Sequence, residues 1–284
     1  MNYLITGKNG QLAREFIARF ENEGIRYQAP EESLLDITDA AAVSEAVASW
    51  KPDVILNCAA YNLVDKAEQE RDKAFAVNST GPQNLAQAAA RHKAMIVHFG
   101  SDYVFDGSKE NGLYKEDDPT APLNVYGRSK GEGEDLVRRE TDRFLVLRLS
   151  WVFGKGTQNF IHKLRTWAST SEYLKIACDE FSVPTSTDTV VDCTLRALEQ
   201  GMTGLYHLTN SGFCSRYDWA TRVLKTLGIK KFIRPVSMSA FNLPAKRPGF
   251  SAMSNAHLAS ALDIPIPTWE DAVDSFLRSH HYES

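Results

Sequence analysis

The 284-residue sequence predicts an α/β fold, a doubly wound parallel sheet followed by a smaller C-terminal region. Three observations carry that prediction. Short β-rich runs alternate with helical patterns through the first half. These runs are nearly continuous in apolar residues, as strands covered on both faces are. A glycine-rich turn joins the first run to the first helical stretch.

The strands are predicted at NYLIT (2–6), IRYQA (25–29), DVILNCA (53–59), AMIVHFG (94–100) and RFLVLRL (143–149), each bounded by turn formers or charges. Helices are predicted between them over 11–23, 40–50, 72–91 and 125–140. After Leu149 the rhythm changes, and aromatics, prolines and isolated glycines crowd SWVFGKGTQNF and FNLPAKRPGF. We therefore expect residues 1–150 to form a dinucleotide-binding, Rossmann-type domain, joined by a returning segment near 180–204. Residues 151–284 should form mainly a substrate-binding region. Ligands of open α/β sheets sit at the carboxyl ends of the strands, so the second region should cap that edge.

Composition narrows the function. With 43% hydrophobic and 24% charged residues the chain is an ordinary globular protein, which excludes disordered and fibrous classes. A formal net charge of −4 with no block of like charges offers no field for nucleic acid. The four cysteines have no metal-ligand or CxxC spacing, so they read as reduced thiols and no metal is expected. No signal peptide or membrane-spanning run is visible, and a cytoplasmic location is expected.

LITGKNGQLARE places Gly7 and Gly10 directly after the first strand, with Ala13 at the third small position. The glycines allow a tight turn and close backbone approach. The helix N-terminus at Gln11 and Leu12 offers unpaired N–H groups to a pyrophosphate. Ala59 and Ala60, at the end of the third strand, leave room for a cofactor lying along the strand ends. The second strand ends without the acidic residue that would exclude a ribose 2′-phosphate, although Glu31 and Glu32 follow closely. NADPH, or use of both NADPH and NADH, is therefore favoured over NADH alone.

YGRSK puts Tyr126 and Lys130 on one helix face, since residues i and i+4 are neighbours. An ammonium beside a phenol favours the phenolate and should lower its pKa, making Tyr126 a usable acid–base group. Ser101, at the end of the fourth strand, supplies a hydroxyl that can polarise a ketone oxygen while Tyr126 protonates it. Gly131 and Gly133 weaken this helix by about 1 kcal/mol each relative to alanine. That cost suggests that something packs closely against them.

The spacing G-x-x-G-x-x-A with Y-x-x-x-K resembles the short-chain dehydrogenase/reductase superfamily. TGKNGQLA, LDIT, NCAAYNLVDKAE, GSDYVFDG, YGRSKGEGE, RLSWVFG, VPTSTDTV and KRPGFSAM, in that order, resemble the dTDP-4-dehydrorhamnose reductase family over most of the chain. The resemblance implies NAD(P)H-dependent reduction of the C4 ketone of a dTDP-6-deoxy-hexulose, with a small-molecule dTDP-sugar as partner. A homodimer is compatible with the sequence but is not read from it. Carried over, Ser101, Tyr126 and Lys130 are catalytic, and Lys130 also holds the nicotinamide ribose. Gly7, Gly10, Gln11, Leu12, Asp36, Ile37, Ala59, Ala60, Tyr61, Tyr126 and Lys130 bind cofactor. Ser101, Asp102, Tyr103 and Trp151 line the sugar pocket. Trp151 offers an indole face to sugar C–H groups, and Arg247 is a candidate for the substrate pyrophosphate.

Two departures from the family pattern stand out. Gly100-Ser101 occupies the place of a common S-T pair, and DEFSVPT places Glu180 and Ser182 where the family commonly has Gln and Gly. Two other readings remain. One is another nucleotide-sugar epimerase or reductase. The other is a non-catalytic NADP-binding subunit resembling that of methionine adenosyltransferase. A 4,6-dehydratase is disfavoured, because Tyr103 stands where that chemistry needs a glutamate beside the aspartate.

Overall fold

A computed structural model describes residues 1–279. Six strands, β1 (Asn2–Thr6), β2 (Arg26–Gln28), β3 (Val54–Asn57), β4 (Met95–Ser101), β5 (Phe144–Leu149) and β6 (Gly204–His207), form one parallel sheet in the order β2-β1-β3-β4-β5-β6. Strand order reverses between β1 and β3, the place where such sheets bind ligands outside their carboxyl ends. β3 and β4 are buried along their whole length, as continuous apolar runs require.

Alternate residues of each strand serve opposite faces. On one face Ile5, Leu56, Val97 and Leu147 pack against Phe16 and Phe20 of α1 (Gln11–Glu23). On the other, Leu4, Ile55, Ile96 and Val146 meet Val43 and Val47 of α2 (Ala40–Trp50), Leu85 of α3 (Gly81–His92) and Val137 of α4 (Val125–Glu140). The predicted bounds of α1, α2 and α4 coincide with the observed ones. Asp39 and Asn124 cap the starts of α2 and α4 through their side chains, and left-handed Gly24 ends α1.

The predicted helix over 72–91 is present and carries a π-bulge. A short turn, Arg71–Phe75, leads into a single π-turn, Ala76–Thr80, before α3 begins at Gly81-Pro82. Pro82 has no N–H to give to the preceding turn. Asn78 is locked by bonds of its amide to Tyr61 N (2.8 Å), Tyr61 O (3.0 Å) and Ser129 Oγ (3.0 Å). π-turns of this kind are frequent at functional sites.

Beyond β5, α5 (Phe160–Thr170), α6 (Thr187–Glu199), α7 (Arg216–Thr226), α8 (Ala256–Leu262) and α9 (Trp269–Ser279) follow, with three two-stranded ribbons. α6 packs with α1 under the main sheet, and β6 pairs with β5 at its edge. A separate core gathers around Trp219 of α7, with Phe153, Ile161, Val223 and Phe276. All four cysteines are free. Among the described residues no helix is long and apolar enough to cross a membrane.

Candidate active site

The phosphate turn is built by Gly7, whose φ is +68°. A Cβ there would lie 2.6 Å from the backbone nitrogen of Ala59, so β1 and β3 approach at this point only because residue 7 has no side chain. Gly10 N–H donates to Gly7 O at 2.8 Å, and Gly10 caps α1 without a side chain. The first N–H groups of α1 therefore face outward with no acceptor from the helix. Gly7→Ala is expected to cost about 1–2 kcal/mol in left-handed backbone strain alone, with a further cost from the clash. A lowered Tm and weaker NADPH binding by fluorescence titration would register both.

From this turn a groove of about 400 Å³ runs past Pro30, Glu32, Leu35, Asp36, Ile37, Ala59, Ala60 and Tyr61. A second cavity of about 300 Å³ shares Gly10, Cys58, Ala59 and Ala60 with it and continues to Gln11, Leu12, Ser101, Asp102, Tyr103, Tyr126, Lys130 and Trp151. Every predicted cofactor residue thus lines one continuous cleft at the carboxyl edge of the sheet. Asp36 also closes its own turn, accepting Thr38 N at 2.8 Å and Thr38 Oγ1 at 2.7 Å. Lys8 and Asn9 reach across to Glu31 at 3.0 and 2.8 Å, which sets one cation and one anion at the mouth of the groove. None of that trio's contacts was visible in the strand ending.

Ser101, Tyr126 and Lys130 meet in the second cavity, all buried. Ser101 Oγ accepts the Tyr103 N–H at 3.2 Å, and the rings of Tyr103 and Tyr126 pack edge to face with centroids 5.6 Å apart. The expected effect of Lys130 on the phenol is not found. Burial pushes the Tyr126 pKa up to about 12, with the Ser101 hydroxyl acting against it and Asp102 and Glu134 adding to it. The Lys130 ammonium donates to the Phe99 carbonyl at 2.5 Å, and burial brings its pKa down to about 8. Tyr126 is consequently a neutral phenol at neutral pH, fit to give a proton rather than to take one.

Three predicted sugar-pocket or phosphate residues are more heavily engaged than expected. Asp102 Oδ2 accepts hydroxyls from Ser251 (2.6 Å), Ser182 (2.8 Å) and Ser150 (3.3 Å), so its carboxylate joins the end of β4 to the C-terminal region while the residue lines the second cavity. Burial raises its pKa and the hydroxyls act against that rise. The Arg216 guanidinium lies over the Trp151 ring at 3.5 Å and Trp219 runs near-parallel to it with centroids 5.6 Å apart, while Trp151 still lines the second cavity. Arg247 makes a two-pronged pair with Asp65 at 2.7 and 3.0 Å and also donates to Ala245 O.

Arg247 nevertheless opens on a third cavity, of about 450 Å³, together with Phe160, Lys163, Trp167, Lys175, Glu180, Arg216 and Phe241. Four cations and one carboxylate around aromatic side chains suit a ligand carrying phosphates and a base. Of the two departures of DEFSVPT, Glu180 acts here, pairing with Arg216 at 3.2 Å, and Ser182 acts in the Asp102 cluster. Sequence reading missed Asn78, Asp65 and Glu134. Nothing local marked any of them.

The family model described as the RmlD substrate binding domain matches residues 1–281. The dTDP-4-dehydrorhamnose reductase of Mycobacterium tuberculosis is 37% identical over 282 residues, covering 97% of this chain and 92% of its own. A crystal structure of a dTDP-4-dehydrorhamnose reductase from Clostridium acetobutylicum superposes with a TM-score of 0.95 at 33% identity, over 99% of this chain and 100% of its own. The Bacillus anthracis enzyme of the same name, crystallised in complex with NADP, gives a TM-score of 0.94 at 31% identity, over 98% and 99% of the two chains.

Proposed function

This chain belongs to the dTDP-4-dehydrorhamnose reductase family, and on that premise we propose that it reduces the C4 ketone of dTDP-4-dehydro-L-rhamnose to dTDP-L-rhamnose with NAD(P)H. The observation that carries the reading is the convergence of Ser101, Tyr126 and Lys130 on a cavity continuous with the Gly7–Gly10 groove.

The cleft fits the dinucleotide. Gly7, Gly10 and the outward N–H groups of Gln11 and Leu12 would hold its pyrophosphate, Asp36 and Ile37 its adenosine, and Ala59, Ala60 and Tyr61 its course along the strand ends. Lys130 would hold the nicotinamide ribose. Lys8, which lines the groove, would face a 2′-phosphate, while its partner Glu31 leaves room for a 2′-hydroxyl instead. When bound, NAD(P)H supplies the hydride to C4.

The protein supplies the proton and the orientation. Ser101 Oγ–H donates to the ketone oxygen, and Tyr126, held neutral by burial, transfers its phenolic proton to that oxygen as charge develops there. Solvent then restores the proton to the phenolate. The third cavity would take the dTDP moiety, with Arg247 and Arg216 toward its phosphates, and the described residues from 151 to 279 would form mainly that substrate-binding part. The Asp102 cluster of three serines keeps Ser101 in register with it.

The test is NADPH absorbance followed with dTDP-4-dehydro-L-rhamnose, with the product identified by NMR. Cofactor consumption without dTDP-L-rhamnose would overturn the substrate. Affinity for NADPH should also depend on pH. The Lys130 ammonium is fully present below its pKa of about 8 and lost above it, so the dissociation constant should be flat from pH 6 to 7 and rise steadily beyond pH 8.

A further inference from the structure

A buried carboxylate stands behind Lys130. Glu134 follows it by one turn on α4 and is 2% exposed. Arg148 of β5 holds Glu134 Oε2 through Nε and Nη2, both at 2.9 Å. Glu134 Oε1 has no hydrogen-bond partner among the described residues. A Cβ at position 100 would lie 2.1 Å from that oxygen. The missing side chain of Gly100 therefore admits the carboxylate against β4, at the residue between Phe99, whose carbonyl holds Lys130, and Ser101.

The charges around this point are few. Lys130 and Arg148 are the buried cations. Asp102 is committed to its serines, and Tyr126 is neutral. His98 of β4 faces Lys130 and is held neutral by burial, and His207 of β6 lies 3.5 Å from Arg148 with its pKa brought down to about 3. Asp135 is exposed. Asn78 and Ser79, on the π-turn, carry no charge. Without Glu134, two buried cations would share no anion of their own, and lysine is the one able to shed its proton.

We propose that Glu134 is a positioning residue for Lys130: oriented by Arg148 and admitted by Gly100, it is the buried anion that lets Lys130 stay an ammonium and keep its hold on the cofactor. Burial works against the charge on Lys130, and Glu134 is the group that opposes it. The inference rests on the reading of Lys130 given above. A merely structural pair tying α4 to β5 would weaken the enzyme equally at every pH.

The experiment measures NADPH dissociation constants by fluorescence at pH 6.5 and 8.5 for wild type, Glu134→Gln and Glu134→Asp. Glu134→Gln should bind within about twofold of wild type at pH 6.5 and about five- to tenfold more weakly at pH 8.5, the effect of a pKa lowered by about one unit. Glu134→Asp should recover much of the loss. An equal ratio to wild type at the two pH values overturns the proposal. If Glu134→Gln does not fold, Gly100→Ala, which displaces the carboxylate, must show the same pH-dependent loss, and a flat ratio there overturns it too. Lys130→Met separates the premises. Wild-type affinity in Lys130→Met at pH 6.5 would remove the role of Lys130, whereas weak binding there with a flat Glu134→Gln ratio would remove only that of Glu134.

Discussion

Tyr126→Phe is expected to lower kcat by about 10²–10⁴-fold, the contribution of a positioned general acid. The dissociation constant for NADPH should change little. The substitution removes one hydroxyl from a ring otherwise fixed by Tyr103 and by the apolar cluster of Tyr61, Val125, Ala67 and Ala74. Packing is therefore preserved and the proton is lost. Steady-state NADPH oxidation, with binding measured separately, checks both halves. A variant with near-wild-type kcat would mean that water or Ser101 provides the proton.

The second large effect is on stability, and its sign is opposite to helix propensity. Gly133→Ala in α4 would gain about 1 kcal/mol in an isolated helix. In the protein its Cβ would sit 2.0 Å from the carbonyl oxygen of Asn78. That atom belongs to the π-turn backbone, which Tyr61 and Ser129 hold through the Asn78 side chain, so it cannot swing away. Overpacking of this kind typically costs about 1–3 kcal/mol. Gly133→Ala should lower Tm by several degrees. Gly131→Ala, whose Cβ would meet only Val104 at 3.6 Å, should leave Tm unchanged or raise it. Thermal unfolding of the two variants side by side checks the contrast, and a Gly133→Ala protein as stable as Gly131→Ala would show that the π-turn yields.

That pair also shows how far the sequence could be read. Two glycines in a charged helix signalled close packing, but only Gly133 has it; Gly131 is a weak helix position without a close neighbour. The bounds of α1, α2 and α4 were legible because their caps are local: Asp39, Asn124 and Gly24 act within a few residues of the ends they fix. The π-turn was not legible, because its cause is the bonding of Asn78 to residues 17 and 51 positions away.

The candidate site was legible in its members and less so in its electrostatics. Ser101, Tyr126, Lys130 and the Gly7–Gly10 turn converge because strand ends and helix faces follow from periodicity. The charge relation of Tyr126 to Lys130 depends on burial and on the Phe99 carbonyl, which a five-letter motif does not contain. Asp102 gathers Ser150, Ser182 and Ser251 from 48, 80 and 149 residues away. Glu134 is enclosed by Gly100 and Arg148, 34 and 14 residues away, which no local pattern in the helix announces.

The central claim is that this cleft delivers hydride to C4 of the sugar while Tyr126 delivers the proton. It is tested most directly by supplying NADPH dideuterated at the nicotinamide C4 together with dTDP-4-dehydro-L-rhamnose and examining the product by NMR. The account predicts dTDP-L-rhamnose carrying one deuterium at C4, at a rate that falls with Tyr126→Phe. Binding of the cofactor with no deuterium at C4 would contradict it.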